Sequence, residues 1–184
     1  MRVKRLEGET ISMKLRNPEL RDAERMFIWM HDAYVVENLQ TDFPAKTMED
    51  CCDFISNSIS KTYIHLTIAG DDDLYMGTVS LKHITNSTAE FAIAICREAM
   101  GKGYSIWAMN EMLRIGFEEY GLSNIYWCVK KENKRALRFY DKNHFHRTEA
   151  DRIEIADGYT IDQIDSYVWY QTTKKDGLEN TSEK

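Results

Sequence analysis

The chain has 184 residues, of which 43% are hydrophobic and 11% aromatic, and its formal net charge is −6. This length and composition fit one compact globular domain and exclude a disordered or fibrous protein. The negative net charge argues against a nucleic-acid-binding protein, and no apolar run reaches the roughly 20 residues that a membrane span needs.

The N-terminal stretch and the cysteines both predict a cytoplasmic protein. MRVKRLEGETISMKL lacks the apolar core of a secretory signal peptide. Four cysteines, two of them adjacent at Cys51 and Cys52, fit neither a metal-ligand spacing nor a disulfide framework. We therefore expect reduced thiols, no bound metal and no membrane partner.

The first half of the chain alternates between strand and helix patterns. ISMKL (11–15) predicts a first strand that ends at Asn17-Pro18. Apolar residues recur at helical spacing from Leu20 to Tyr34 and again from Met48 to Ile59, which predicts two helices joined by a loop long enough to carry function. YIHLTIA and YMGTVSLKHI, on either side of GDDDL, predict a hairpin.

The second half predicts strands separated by two helices. EFAIAI (90–95) is typical of a buried strand, and Ile106 to Tyr120 form an amphipathic pattern that ends at Gly121. NIYWCV (124–129) predicts a strand, NKRALRFYDKN (133–143) a helix, and RIEIA (152–156) and DSYVWYQTT (165–173) two closing strands. These elements predict an α+β domain over residues 1–173 with a mixed sheet, followed by a disordered polar tail at 174–184.

The stretch MGKGYS (100–105) joins a predicted strand to a predicted helix. Free N–H groups at a helix N-terminus attract anions, and glycines let successive N–H groups face a phosphate. A tight turn without a ligand is the alternative explanation. The stretch matches neither the dinucleotide-binding pattern nor the phosphate loop of nucleotide hydrolases.

Together with a downstream motif, this stretch resembles the GCN5-related N-acetyltransferase (GNAT) superfamily. That family carries R/Q-x-x-G-x-G/A, followed by N-x-x-A-x-x-x-Y-x-K-x-G-F. Here both glycines of MGKGYS are present, with Met100 where Arg or Gln is usual and Ser105 where Gly or Ala is usual. His144 replaces a glycine of the second motif, whose matching residues are Asn133, Ala136, Tyr140, Lys142 and Phe145. The sequence looks most like the branch of ribosomal-protein N-terminal acetyltransferases (RimJ/RimL type).

The resemblance implies a mostly antiparallel sheet of six to seven strands with helices on both faces. It also implies acetyl-CoA as cosubstrate, without a metal. EFAIAI would splay from NIYWCV and hold the pantetheine through its main chain at Ile93, Ala94 and Ile95. Asn133 would cap its helix and also hold the pantetheine arm. The pyrophosphate would lie on the N–H groups of Met100, Gly101, Lys102, Gly103, Tyr104 and Ser105.

The resemblance also implies that the amine attacks the thioester directly, so no cysteine nucleophile is required. Tyr140 matches the general acid for the leaving thiol, although a core tyrosine would fit the same helical spacing. Glu90 is a candidate general base, with an ion-paired structural carboxylate as the alternative. His31 and Glu37 are candidate substrate-binding residues near the acceptor site. Cys96 and Cys128 are expected to be packing residues.

The acceptor stays open between a protein N-terminus, a polyamine, an amino sugar and another amino-bearing small molecule. Residues 97–147 are basic and could hold an anionic ligand, whereas the acidic remainder of the chain mildly favours a cationic acceptor. A non-catalytic acyl-CoA-binding regulatory module is the alternative, because Met100 and His144 depart from the motifs. Retention of Tyr140 and Asn133 favours the enzyme. A homodimer is kept open beside a monomer.

Overall fold

The computed structural model describes residues 2–4 and 10–176 of the chain. Within these residues the strands are β1 (Arg2–Lys4), β2 (Thr10–Ser12), β3 (Lys14–Arg16), β4 (Ile64–Ala69), β5 (Tyr75–Lys82), β6 (Thr88–Ile95), β7 (Asn124–Lys130), β8 (Arg147–Thr148) and β9 (Tyr167–Thr173). The helices are α1 (Ala23–Met30), α2 (Ala33–Val36), α3 (Met48–Ser56), α4 (Tyr104–Arg114), α5 (Lys134–Lys142) and α6 (Ile161–Ser166). No helix in this part of the chain is long and apolar enough to cross a membrane.

A seven-stranded sheet in the order β3-β4-β5-β6-β7-β9-β8 forms the centre of the molecule. Neighbouring strands run antiparallel, except that β6 and β7 are parallel. The connection between the parallel strands passes through α4, as a parallel crossover requires. The predicted fold class, a mixed and mostly antiparallel sheet with helices, is confirmed.

Two cores lie on the two faces of this sheet. Buried residues of α4 and α5, such as Met109, Met112 and Leu137, pack with strand residues on one face. On the other face, Met26 of α1 and Ile55 of α3 belong to a second buried cluster. Helices therefore cover both faces, as predicted.

The central pair β6–β7 is joined over only a short length. Thr88, Ala89 and Glu90 of β6 pair with Asn124, Ile125 and Tyr126 of β7. Beyond Glu90, β6 keeps its register with β5 as far as Ile95, while β7 pairs only with β9. The two strands separate there, as the sequence prediction required, and leave a gap in the middle of the sheet.

The predicted strand over RIEIA is wrong. That segment contains the end of a 3₁₀ turn (Ala150–Arg152) and irregular backbone, and the short helix α6, which was not predicted, follows it. Its alternating apolar residues Ile153 and Ile155 are partly buried against a cluster that includes Tyr126 and Trp169. The alternation therefore reflects packing of a loop on the sheet and not strand pairing.

The predicted first and second helices are shorter than their apolar patterns suggested. The first ends at Met30, and Tyr34 belongs to the separate helix α2, where it is 50% exposed. The second ends at Ser56, and Ile59 forms an isolated bridge with Ile64. The predicted tail at 174–184 lies mostly outside the described residues, so the domain boundary at residue 173 stays a prediction.

Candidate active site

A cavity of about 400 Å³ opens at the gap between β6 and β7. One part of its wall comes from β6, β7 and α5, and the other from α1, α3, the 38–46 loop, β4 and β5. Among the described lining residues, the aromatic ones are Trp29, Phe43, Phe54, His65, Phe91, Trp127 and Tyr140. The charged ones are Lys46, Asp50, Lys82, Glu90 and Lys130. The cavity is thus mainly apolar with a few polar groups.

Glu90 is the last residue of β6 that pairs with β7, and its side chain is only 3% exposed. Its Oε1 accepts from Lys82 Nζ at 2.8 Å and from the Tyr159 hydroxyl at 3.0 Å. Its Oε2 is buried and has no hydrogen-bond partner among the described residues, while His83 Nε2 lies 3.7 Å away. Glu90 is therefore a buried, ion-paired carboxylate on the cavity wall, and its role as a general base stays a prediction.

The sequence analysis missed the partners of Glu90. Lys82 stands directly opposite Glu90 in the β5–β6 register, so antiparallel pairing of the predicted strands YMGTVSLKHI and EFAIAI would have supplied a usable signal. Tyr159 comes from the segment before α6, 69 residues along the chain, and no sequence pattern connects it with Glu90. Burial, followed by the nearby Cys128 and Glu90, raises the pKa of Tyr159, so its hydroxyl stays a donor to the carboxylate.

Tyr140 lies on α5 inside a group of aromatic rings and lines the cavity. Its ring centroid is 5.3 Å from that of Trp127 and 5.2 Å from that of Tyr170. No described residue accepts a hydrogen bond from its hydroxyl, and this oxygen is not among the fully buried unpaired atoms. Burial raises the pKa of Tyr140, so the phenol remains protonated and faces the cavity. Tyr140 is a core tyrosine that also lines the cavity, and its role as the general acid stays a prediction.

Asn133 is the N-cap of α5, as predicted, and its Oδ1 accepts from the backbone N–H of Ala136 at 3.0 Å. The residue also lines the cavity and is only 7% exposed. Capping occupies the carbonyl oxygen and leaves the amide nitrogen for another partner. Its role toward the pantetheine stays a prediction.

Ile93, Ala94 and Ile95 occupy the part of β6 beyond its pairing with β7. They pair with Val79, Thr78 and Gly77 of β5. Their other edge faces the gap, where backbone groups have no neighbouring strand. Ile93 and Ala94 line the cavity, whereas the Ile95 side chain is buried in the core.

The glycine turn lies between a 3₁₀ turn (Arg97–Ala99) and the start of α4. Gly101 and Gly103 have φ of 72° and 88°, a left-handed backbone that favours glycine. The N–H groups of Met100 and Lys102 already donate to the carbonyls of Arg97 and Ala99. The prediction that all N–H groups from Met100 to Ser105 bind pyrophosphate therefore needs correction at these two positions. None of the six residues lines the cavity itself.

Two arginines lie beside this turn. Arg135 Nη1 lies 3.6 Å from the Met100 sulfur, and the guanidinium groups of Arg97 and Arg135 lie 4.6 and 4.9 Å from the centroid of the Tyr34 ring. Arg97 also pairs with Asp32 at 2.7 Å. Arg97 is thus held beside the turn by a carboxylate and an aromatic ring.

The structure does not place His31 or Glu37 on the cavity wall. His31 caps α1, where its Nδ1 contacts the Phe27 carbonyl at 2.9 Å and its ring packs on Phe27. Glu37 is exposed and accepts from Asn38. The residues that follow Glu37 do line the cavity, and a role of His31 and Glu37 in substrate binding stays a prediction.

His65 and Cys128 are among the side chains that line the cavity without having been predicted to do so. His65 Nδ1 lies 2.7 Å from Ser80 Oγ, and burial together with the charge of Lys82 lowers the pKa of His65 to about 4. Burial also raises the pKa of Cys128 to about 12, although Tyr159 and Gln40 hydrogen bond to its sulfur. A thiol held in its neutral form is a weak nucleophile, and the packing role of Cys128 stays a prediction.

The chain is similar to known acetyltransferases, both in a family model and in individual sequences. The family model "Acetyltransferase (GNAT) domain" matches residues 12–146. Acetyltransferase PseH of Campylobacter jejuni subsp. jejuni (strain 81-176) is 24% identical over 143 residues, which cover 76% of this chain and 88% of PseH.

Solved structures of acetyltransferases share the fold. The spermidine N-acetyltransferase of Vibrio cholerae, in complex with CoA and spermine, has a TM-score of 0.73 at 19% identity and covers 90% of this chain and 98% of its own. FdhC, a nucleotide-linked sugar GNAT, has a TM-score of 0.70 at 18% identity, covering 94% and 92%. MccE, the microcin C7 self-immunity acetyltransferase, in complex with acetyl-CoA and AMP, has a TM-score of 0.68 at 19% identity, covering 88% and 92%.

Proposed function

This chain belongs to the GNAT acetyltransferase family and is an acetyl-CoA-dependent N-acetyltransferase, and we propose that its acceptor is the amine of a small ring compound held in the aromatic cavity. The observation that carries the proposal is the cavity at the β6–β7 gap, which a carboxylate and a protonated phenol both line. Assignment to the RimJ/RimL branch stays a prediction.

The two groups have complementary chemical roles. An amine must lose a proton before it attacks the thioester, and the Glu90 carboxylate is a base on the cavity wall. The departing thiolate must gain a proton, and Tyr140 is an acid that stays protonated. Each carboxylate or phenol of this kind contributes typically 10²–10⁴ in rate.

Backbone groups complete the proposed site. The free edge of β6 at Ile93 and Ala94 offers N–H and C=O groups to the pantetheine amides and to the thioester oxygen. The left-handed turn at Gly101 and Gly103 is proposed to hold the pyrophosphate at the start of α4. Main-chain binding explains why Met100 and Ser105 are tolerated at these positions.

The charge of the cavity favours one acceptor class over another. A polyamine carries several positive charges and requires several carboxylates, yet the described wall contains Asp50 and Glu90 against three lysines. The wall instead presents the rings of Trp29, Phe43 and Phe54. These surfaces fit a cyclic acceptor, such as an amino sugar, better than an extended polycation. A polyamine, the acceptor with several positive charges, therefore has no support from the described cavity wall.

Proteins of similar fold are associated with both sugar and polyamine substrates, so the proposed acceptor class is based on the cavity and not on the fold. FdhC is described as a nucleotide-linked sugar GNAT, whereas the Vibrio cholerae enzyme was solved with spermine. At 18–19% identity neither assigns an acceptor to this chain. A cytoplasmic location, with reduced cysteines, also belongs to the proposal.

The test is a thiol-release assay with acetyl-CoA and a panel of amines: UDP-glucosamine, glucosamine, spermidine and a peptide with a free N-terminus. We expect turnover with an amino sugar and little with spermidine. Glu90→Gln is expected to lower kcat about hundredfold at neutral pH, within the range for a general base. Preference for spermidine would refute the acceptor class, and an unchanged Glu90→Gln variant would refute the base.

A further inference from the structure

His83 has an unusual backbone directly after β5. Its φ is 50°, in the left-handed region that L-residues with a side chain rarely adopt. In a regular strand successive side chains alternate between the two faces, so His83 would point away from the face that Lys82 shares with Glu90. The left-handed turn instead brings its Nε2 to 3.7 Å from Glu90 Oε2. Strain of this kind is often retained at functional sites.

The two oxygens of Glu90 have different surroundings. Oε1 is occupied by two donors, Lys82 and Tyr159, neither of which accepts a proton in its present form. Oε2 has no hydrogen-bond partner in the described part of the chain and is shielded from solvent. His83 lies on this side and is 46% exposed, so its ring connects the buried carboxylate to water.

Other titratable groups around Glu90 do not offer the same route. They come from β5, β7, β9 and the segment before α6, and are Lys82, His83, Tyr126, Cys128, Tyr159 and Tyr167. Burial holds the three tyrosines and the thiol in their neutral, protonated forms. The imidazole of His83 differs from them in having two ring nitrogens, so that it can accept a proton on one and donate a proton from the other.

We propose that His83 carries the proton of the acceptor amine from Glu90 to solvent. The inference rests on the proposed role of Glu90 as the base. The acceptor ammonium loses an N–H proton to the Glu90 carboxylate, and the carboxylic acid passes it to His83 Nε2. The resulting imidazolium releases a proton to water. Tyr140 gives its proton to the thiolate and regains one from the attacking nitrogen, so each turnover releases one proton.

His83 acts through Glu90 and is a positioning residue. Its test must therefore distinguish a role in proton transfer from a role in maintaining the local structure. His83→Asn removes the basic nitrogen but keeps a residue that tolerates the left-handed backbone. The chain supplies a matched control, because His144 has the same backbone type with φ of 62° and no described contact with Glu90. His144→Asn is therefore expected to leave turnover and its response to imidazole unchanged.

The assay is thiol release with acetyl-CoA and the most active amine of the panel, in a buffer without imidazole. We expect His83→Asn to lower kcat at least about tenfold, less than loss of the base itself, with unchanged KM for both substrates. Added imidazole at millimolar concentration should restore the rate. Normal kcat, or a loss that imidazole does not restore, would overturn the relay.

A second measurement needs no acceptor. The ¹⁵N signals of the His83 ring, assigned by their absence in His83→Asn, should move in Glu90→Gln and stay in place in Tyr140→Phe. Unmoved signals in Glu90→Gln would overturn the contact. A wild type inactive on every amine would refute the proposed function and the relay with it, whereas an active wild type with normal His83→Asn turnover refutes the relay alone.

Discussion

Replacement of Tyr140 by Phe separates catalysis from stability, because no residue in the described part of the chain accepts a hydrogen bond from its hydroxyl. The ring sits among Trp127, Phe145 and Tyr170, and phenylalanine preserves these contacts. The free energy of unfolding should therefore change by less than about 0.5 kcal/mol, since a buried hydroxyl contributes through its partners. For a chain of this size that corresponds to a shift of less than about 2 °C in Tm.

Turnover should respond very differently. The pKa of Tyr140 is raised by burial, so the phenol is available as an acid across the neutral range. Loss of a general acid costs about 10²–10⁴ in kcat, while binding of acetyl-CoA should be nearly unchanged. Initial rates of thiol release at saturating acetyl-CoA measure the first effect, and titration calorimetry with CoA measures the second.

The neighbouring tyrosine provides the matched control. Tyr170 is buried against Trp127 at an interplanar angle of 3°, but its hydroxyl donates to Asp141 at 2.9 Å and does not line the cavity. Tyr170→Phe should therefore lower the free energy of unfolding by about 1 kcal/mol and leave kcat unchanged. The proposed role of Tyr140 is refuted if Tyr140→Phe retains full turnover, or if both variants lose activity in proportion to stability.

Three further predictions concern the coenzyme turn and the pH dependence of stability. Gly101→Ala should cost about 1 kcal/mol from its positive φ and raise KM for acetyl-CoA without lowering saturated kcat; an unchanged KM would contradict binding at the turn. Burial raises the pKa of Asp22, but hydrogen bonds from Arg16 outweigh it and the net pKa is lowered. Its contribution is therefore present above about pH 4 and lost on acidification, and Asp22→Asn should cost about 3 kcal/mol at pH 7 and much less at pH 3 by urea denaturation. The lowered pKa of His65, about 4, means that the unfolded chain takes up a proton as pH falls from about 6.5 while the folded chain does not. The free energy of unfolding should therefore decrease as the pH falls from about 6.5 to about 4, and it should decrease less in His65→Gln. The same pH dependence in both proteins would exclude His65 as the source.

Local sequence patterns predicted those parts of the molecule that depend on neighbours close in the chain. The β4–β5 hairpin, the helices α4 and α5 and the Asn133 cap follow from periodicity and capping. The gap beside Ile93 followed from the family motif, because an apolar run alone indicates only a buried strand. The position of Glu90 on the cavity wall was predicted in the same way.

The environment of Glu90 depends on contacts between distant segments and was not predictable. Tyr159 reaches Glu90 from a segment that follows Ile153 and Ile155. These residues alternate with polar ones as in a strand, because a loop that packs on a sheet and a strand within a sheet produce the same alternation of apolar and polar residues. His83 reaches Glu90 through a single left-handed residue, which no apolar pattern encodes. Lys82 is different, because antiparallel pairing of the predicted strands YMGTVSLKHI and EFAIAI, which are neighbours in the chain, places it opposite Glu90.

The short junction between β6 and β7 has a mechanical consequence. It divides the sheet into one block formed by residues 14–95 and another formed by residues 124–173, and three consecutive residue pairs are the register that joins them. The blocks are consecutive in the chain, so the first can assemble during synthesis before the second leaves the ribosome. A ligand that fills the gap takes the place of the hydrogen bonds that β6 and β7 do not form beyond Glu90, and so links the two blocks. When the two ends of the chain are pulled apart, the sheet should separate first between β6 and β7. The force required should be higher when CoA is bound.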